Sequence, residues 1–238
     1  MTINNQIKKV ILSNIKETND RKIGIEIENI IYNNKNERLP VNPGNYFSAH
    51  DLLQNLNDLI GENGQYSLEP GGQLEWASPP FKRLHDLQNS INEQKVLLNN
   101  ILDQNNLKLV PFGVDPNFSP EDIELISKKR YQLMNLHMKE NGTMGRWMMR
   151  CTSSIQVNLD VSSENDMEEM TFIADCLHPI ASYLFSNSPY KNNVAIKTNL
   201  RNNIWLNTDD KRCNNLFDHG IYRTNNLINN YINYFLSV

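Results

Sequence analysis

Two short stretches of this sequence place glutamates at spacings that suit a site for a divalent cation and a phosphate group. The first is Ile23–Tyr32, which reads IGIEIENIIY, and its isoleucines alternate with Gly24, Glu26 and Glu28. This period of two is typical of a half-buried strand and puts both glutamates on one face, about 7 Å apart. Two carboxylates at that distance repel each other unless a cation or a basic group lies between them.

The second stretch is Ser67–Trp76, which reads SLEPGGQLEW and carries glutamates on both sides of a Pro-Gly-Gly turn. A hairpin at this turn would bring the two glutamates together. Carboxylates on rigid strands suit Mg²⁺ or Mn²⁺, which prefer hard oxygen ligands and share their coordination with phosphates. The sequence therefore predicts a metal site formed by Glu26, Glu28, Glu69 and Glu75, although a solvated strand face and an ordinary hairpin remain as alternatives.

A further strand is predicted at Thr152–Val161, where apolar residues alternate with Gln156, Asn158 and Asp160. Side-chain amides on one strand face suit the orientation of a small polar substrate such as an amino acid. A hydrogen-bonded polar ladder explains the same pattern equally well, and the sequence leaves both interpretations open.

Four arginines are candidate binding groups for anions, because Arg binds carboxylate and phosphate in bidentate fashion. Any single arginine is more often a surface residue than a ligand. Arg150 is the most suggestive, since it directly precedes the polar strand, and Arg201 precedes the aromatic Trp205. The other two candidates are Arg146 and Arg212.

Composition excludes several classes of function. The 238 residues carry 23 basic and 27 acidic side chains, so a net charge of −4 offers no general attraction to nucleic acid or to an anionic membrane. No apolar run approaches the roughly 20 residues that span a bilayer, and the first residues lack a secretory signal, so we expect a cytoplasmic protein. The three cysteines lack metal-type spacing, and no nucleophile motif, phosphate-binding loop or dinucleotide-binding glycine pattern is present.

The elements that must position these residues indicate one structural unit over residues 1–238 with an α+β fold. Mixed helices and alternating strands predict a mostly antiparallel sheet with helices covering one face and the site on the other. The last helix is amphipathic, which predicts self-association or a partner surface. The helices are expected at Ser48–Ile60, Arg83–Asn105, Ser119 to about Lys139, Glu164–Ser186 with a kink or break at Pro179, and Asn225–Val238.

Taken together, these motifs resemble the glutamate–cysteine ligase family of the plant and proteobacterial type. They occur in the order of the family and extend over nearly the whole chain. The matching blocks are GIEIEN at Gly24–Asn29, SLEPGGQLEWASPP at Ser67–Pro80, the Arg130–Met134 segment, MMRCTSSIQVNLD at Met148–Asp160, HPIASYLFSNSPY at His178–Tyr190 and RNNIW at Arg201–Trp205.

The resemblance implies a fold akin to glutamine synthetase and the guanido kinases, in the N-terminal part of a longer ligase. It also implies that ATP phosphorylates the γ-carboxylate of L-glutamate and that the amine of L-cysteine attacks the acyl phosphate, as the first step of glutathione synthesis. On this basis the four glutamates hold Mg²⁺ (or Mn²⁺) against the ATP phosphates, and no protein nucleophile is needed.

The resemblance further implies which side chains bind the substrates. Arg150, Gln156 and Asn158 would bind the amino-acid substrate, while Arg201, beside Trp205, would hold a carboxylate or a phosphoryl group. Glu26, Glu28, Glu69 and Arg150 are thus the expected catalytic residues. Two alternatives remain: a γ-glutamyl ligase with another amine acceptor, and an inactive remnant that only binds a ligand or a partner.

Overall fold

The computed structural model describes residues 2–209, 211, 213 and 216–237. It confirms a mixture of helices with an antiparallel sheet. The helices are α1 (Ile3–Ile11), α2 (Ala49–Ile60), α3 (Leu84–Gln104), α4 (Lys129–Glu140), α5 (Gly145–Cys151), α6 (Glu164–Leu184), α7 (Leu200–Leu206) and α8 (Leu227–Phe235). The strands are β1 (Ile23–Asn33), β2 (Gln65–Leu68), β3 (Leu74–Ala77), β4 (Leu107–Val110), β5 (Ile155–Leu159), β6 (Tyr190–Lys191) and β7 (Val194–Ala195).

The long strand β1 is the centre of a five-stranded sheet. One edge of β1 pairs with β3, which in turn pairs with β2. The other edge pairs with β5 along its first half and with β4 along its second half. All these pairings are antiparallel. The three strands predicted to carry polar side chains are therefore neighbours in one sheet.

Helices cover one face of this sheet at β2 and β3, whereas Ile155, Val157 and Leu159 on the same face of β5 are more than half exposed. Helix α2 begins at Ser48, whose side chain forms a reciprocal capping box with Asp51. Its buried face, represented by Leu52 and Leu56, packs in the same core cluster as residues of β2, β3 and α3. The opposite face of the sheet is left to the polar side chains. Among the described residues, no helix is both long and apolar enough to cross a membrane.

The helix predicted to begin at Ser119 is wrong in its first part, because α4 begins only at Lys129. Ser119 and Asp122 do make the local contacts of a helix start, with Ser119 N–H donating to the Asp122 carboxylate at 2.9 Å. The chain then follows an irregular path that buries Ile123 and Ile126 in the core. Tertiary packing of these two side chains overrides the local start signal.

Two further expectations about helices concern α6 and α8. Helix α6 runs over 21 residues with Pro179 inside it, so the proline does not split the helix. Helix α8 contacts α1 and α6. Its residues Leu227 and Ile228 are buried within the chain, whereas Tyr231 and Phe235 on the same helix are 39% and 55% exposed. Self-association or a partner surface at this helix stays a prediction.

Candidate functional site

Glu28 and Glu75 lie directly opposite each other on the polar face of the sheet. They are register partners in the β1–β3 pair, and opposed side chains in an antiparallel pair have Cβ atoms about 5 Å apart. Each carboxylate accepts one hydroxyl hydrogen bond: Ser154 Oγ donates to Glu28 at 2.9 Å, and Ser67 Oγ donates to Glu75 at 3.0 Å. The strands thus hold two carboxylates side by side.

Glu69 joins them from the turn between β2 and β3, which forms the predicted hairpin. The turn closes through a hydrogen bond from Gly72 N–H to Glu69 O at 2.9 Å, and Gly72 has a φ of +76°, which favours glycine. The N–H of Glu69 continues the ladder to Gln73 O at 3.0 Å. Because strand side chains alternate, Glu69 projects on the same face as Ser67 and its partner Glu75.

The electrostatics show that these three carboxylates share one environment. Burial, together with the negative charges of Glu75 and Glu28, raises the pKa of Glu69 to about 7. Burial also raises the pKa of Glu28, where the Ser154 hydroxyl opposes the rise and the charge of Glu75 adds to it. Close, partly desolvated carboxylates of this kind are stabilised by a cation.

The oxygen donors fit a hard divalent cation in their chemistry, but they do not converge on a single point. Within residues 2–209, 211, 213 and 216–237, no group of three or more His, Cys, Asp or Glu side chains is arranged to hold a metal ion. The fourth predicted ligand, Glu26, lies on the same face of β1, where it accepts a hydrogen bond from Asn158 Nδ2 at 2.9 Å. Further oxygen ligands, such as substrate phosphates, would be needed to complete the coordination.

The amides of β5 face the carboxylates of β1. Asn158 contacts Glu26, and Gln156 Nε2 lies 3.4 Å from Glu28 Oε1. These contacts are those of a polar ladder, the alternative that the sequence left open. The same amides stand at the edge of the carboxylate cluster, so their binding to a substrate stays a prediction.

Among the predicted arginines, Arg201 is the one whose positive charge acts on a carboxylate of the cluster, that of Glu28. It is half-buried at the start of α7, where Nε donates to Ser153 O at 3.2 Å and the guanidinium lies 5.9 Å from the Trp205 ring centroid. Burial lowers the pKa of Arg201, and the negative charge of Glu28 opposes this effect. Arg201 and Trp205 therefore lie together, on the side of the site nearest Glu28.

Arg150 is placed differently from the expectation. Its guanidinium donates to Pro120 O at 2.7 Å, Ile123 O at 3.1 Å and Asn135 Oδ1 at 2.8 Å. These contacts hold the irregular segment before α4, and none of them is with a carboxylate of the cluster. The contacts give Arg150 a structural role, and its catalytic and substrate-binding roles stay predictions without support from its hydrogen bonds.

The two other candidate arginines do not add to the site. Arg146 forms an ion pair with Glu121 at 2.9 Å, on the irregular segment before α4. Arg212 lies outside the described residues.

Comparison with known proteins decides the family. Residues 22–225 match Glutamate-cysteine ligase family 2 (GCS2). The chain belongs to this family. It is 31% identical over 211 residues to glutamate–cysteine ligase A, chloroplastic, of Oryza sativa subsp. indica, and 37% identical over 149 residues to the chloroplastic enzyme of Arabidopsis thaliana.

These matches cover 82% and 61% of the chain, respectively, but only 41% and 28% of the two relatives. The chain therefore spans less than half the length of the curated relatives that it matches. A solved structure, a bifunctional glutathione synthetase from Pasteurella multocida, superposes with a TM-score of 0.50 at 13% identity. That match covers 83% of the chain and 26% of the other protein, and it supports the fold alone.

Sequence reasoning missed two basic residues of this GCS2 chain, Lys128 and Arg130. Their charges oppose the rise in the pKa of Glu69, so they lie near its carboxylate. The segment before α4 is fixed to the turn by a hydrogen bond from Ile126 N–H to Pro70 O at 2.8 Å. The run Ser127–Arg130 is basic in the sequence, but the helix predicted from Ser119 placed this run in the middle of a helix. In the structure it lies at the start of α4.

Proposed function

We propose that this GCS2 protein catalyses the ATP-dependent joining of the γ-carboxylate of L-glutamate to the amine of L-cysteine through a γ-glutamyl phosphate. The observation that carries the proposal is the group of three electrostatically coupled carboxylates, Glu28, Glu69 and Glu75, on the polar face of an antiparallel sheet. Family membership supports the reaction, because the rice and Arabidopsis relatives are named glutamate–cysteine ligases. We further propose that the unit over residues 1–238 has the glutamine synthetase and guanido kinase type of fold.

In this proposal Glu26, Glu28, Glu69 and Glu75 hold Mg²⁺ or Mn²⁺ together with the phosphates of ATP. The bound cation would neutralise negative charge on the transferring phosphoryl group. Positively charged side chains on both sides of the carboxylates would also help to bind the phosphates. These are Arg201 near Glu28, and Lys128 and Arg130 near Glu69. Half-buried carboxylates whose charges already repel one another need little rearrangement to accept a cation.

The remaining polar side chains would orient the amino acids. Gln156 and Asn158 project from the exposed strand β5, so a substrate can replace the carboxylates as their hydrogen-bond partner without opening the core. A fixed orientation of the γ-carboxylate toward the phosphoryl group is the main contribution that binding groups make to such a transfer. The attack by the cysteine amine then requires no protein nucleophile.

One observation favours a second candidate, a protein that binds ATP or glutamate without turnover. The described side chains do not provide three metal ligands that converge. A nucleotide could still bind through one or two carboxylates and the neighbouring cations. The two candidates differ in how many side chains can hold a cation beside the phosphoryl group during its transfer.

Phosphate release separates the candidates. The purified chain is incubated with ATP, Mg²⁺, glutamate and cysteine, and each amino acid is omitted in turn. Release that requires both amino acids supports the proposed ligase, and release with other amines in place of cysteine indicates a different acceptor. Binding of ATP or glutamate without any release would favour the binding protein and overturn the proposed reaction for this chain.

The metal assignment has its own test. Glu69→Gln and Glu28→Gln are each expected to weaken Mg²⁺-dependent nucleotide binding, measured by calorimetry, while circular dichroism stays that of a folded protein. Glu62→Gln is the matched control, since Glu62 is an exposed carboxylate in the turn after α2. Equal binding by all three variants would refute the metal site.

We also propose a cytoplasmic location, which cell fractionation would check against the chloroplastic location in the names of the plant relatives.

A further inference from the structure

The turn that presents Glu69 is held by a buried amide from its own hairpin. The side chain of Gln73 is 2% exposed. Its Oε1 accepts from Gly71 N–H at 2.9 Å, while its Nε2 donates to Met149 O at 3.2 Å and to Thr152 O at 2.9 Å. One side chain thus ties the turn to the end of α5, and both amide atoms are fully used.

A second buried side chain reaches the same turn from another direction. Arg38 Nη2 donates to Gly71 O at 2.5 Å, and Arg38 Nη1 donates to the Asp115 carboxylate at 3.3 Å. Asp115 has no exposed surface, and it also accepts hydrogen bonds from Tyr32 Oη at the end of β1 and from Phe118 N–H. A continuous buried network therefore runs from β1 to the main chain of the turn.

The turn sits against α5 without free space. A Cβ atom added at Gly71 would lie 2.6 Å from Arg150 Cα and 2.6 Å from Arg150 O. Main-chain contact this close leaves no room for a side chain, and the contact is kept by the bonds from Gln73 and Arg38 on either side of Gly71. The position of Glu69 is consequently set by tertiary contacts as well as by the hairpin.

Stability alone does not account for charged and polar groups at this place. A buried ion pair is costly to desolvate, and well-packed apolar side chains of similar size are often equally stable. What a hydrogen-bonded network adds is one fixed arrangement of the segments that it joins. Here those segments carry Glu28 on β1 and Glu69 on the turn.

We propose that Gln73 and Arg38 are positioning residues that hold Glu69 within reach of Glu28 and Glu75 for cation binding. This inference rests on the proposed function, in which the same carboxylates bind the cation. Neither side chain touches the cluster, and both act through the main chain of Gly71.

Three variants test the proposal. Arg38→Lys keeps the charge next to Asp115 but cannot reach both Asp115 and Gly71 O in the same way. Gln73→Met keeps the length and removes the three hydrogen bonds. Tyr32→Phe is the matched control, because it removes a buried hydrogen bond to Asp115 in the same network without contacting the turn.

Two measurements are made on each variant at a temperature where urea titration shows it to be folded. Mn²⁺ affinity is measured by paramagnetic resonance, and the amide chemical shifts of Glu69 and Gly72 in the turn are followed by NMR without metal. Arg38→Lys and Gln73→Met are expected to weaken Mn²⁺ binding about 10- to 100-fold, the range for residues that orient metal ligands. Both should also shift the amide resonances of Glu69 and Gly72, because each removes a hydrogen bond to the main chain of Gly71, whereas Tyr32→Phe should lower stability and leave both quantities unchanged.

The outcomes separate the two proposals. If Tyr32→Phe weakens Mn²⁺ binding as much as Arg38→Lys does, the network is merely structural and the positioning role is wrong. Wild-type protein that binds no Mn²⁺ would overturn the proposed metal site, while the amide shifts of Glu69 and Gly72 would still decide the positioning role. If Arg38→Lys does not fold, Gln73→Met gives the result, because it leaves the buried ion pair intact.

Discussion

The carboxyl group of Glu69 makes a prediction about stability that can be worked out in detail. Its pKa in the folded chain is about 7, against an ordinary value of 4.5. Between these two values the folded state binds more protons than the unfolded state, so the free energy of unfolding falls as the pH rises through this window. Below pH 4.5 and above pH 7 the contribution is constant.

The size of the effect follows from the same two values. At about 1.4 kcal/mol for each pKa unit, the difference sets an upper limit of about 3 kcal/mol. Glu69 is only half-buried, and solvent screening reduces the expected loss between pH 5 and pH 8 to about 1 to 2 kcal/mol. Glu69→Gln removes the ionisation, so this variant should be more stable than wild type by about that amount at pH 8 and close to wild type at pH 5.

Urea unfolding at pH 5, 6, 7 and 8 in the absence of divalent cations measures the prediction. Glu62→Gln serves as the control for the loss of one negative charge at an exposed position. Addition of Mg²⁺ at pH 8 should stabilise the wild type more than Glu69→Gln. The reasoning would be refuted if Glu69→Gln lost as much stability as the wild type between pH 5 and pH 8.

Three other substitutions test the packing and the surface of the fold. Leu56→Ala, at a position without exposed surface in the core, should lower the free energy of unfolding by about 2 to 5 kcal/mol in urea titration. Gly71→Ala should destabilise the chain and displace the Glu69 turn, since its Cβ would meet Arg150 Cα at 2.6 Å, whereas Gly44→Ala meets nothing within 4 Å and should fold normally; nucleotide binding and thermal melting distinguish the two. Val157→Lys should reduce concentration-dependent association in light scattering, because Val157 is 57% exposed on β5, an edge strand of the described sheet, and charged residues protect such edges.

Several elements could be predicted from the sequence because local signals and packing agree there. The alternation in β1 and the apolar spacing of the helix predicted at Ser48–Ile60 each led to an element that the structure contains. The hairpin around the Pro-Gly-Gly turn was also predicted correctly, with Glu75 opposite Ser67. Strand β4 could not be predicted, because it is short, has few alternating residues and carries no pattern that marks it as a partner of β1.

Contacts between distant parts of the chain account for what the sequence did not reveal. A good local start signal at Ser119 lost to the burial of Ile123 and Ile126. Arg150 stays a predicted anion ligand, but the sequence did not reveal that its guanidinium donates to carbonyl groups 30 and 27 residues away along the chain. Neither partner carries a sequence pattern, because any residue offers a main-chain carbonyl.

What the sequence determined by itself is the chemistry: the glutamates, their strand period and the turn that returns the chain follow from residue types and short-range geometry. Only the tertiary structure decided which charges meet. The pairing of β1 with β3 sets Glu28 against Glu75, and the approach of α4 to the turn brings Lys128 and Arg130 to Glu69. Strand register and helix docking are set by burial of the apolar faces on the other side of the sheet, so the polar partners across the site are a consequence of how the core packs.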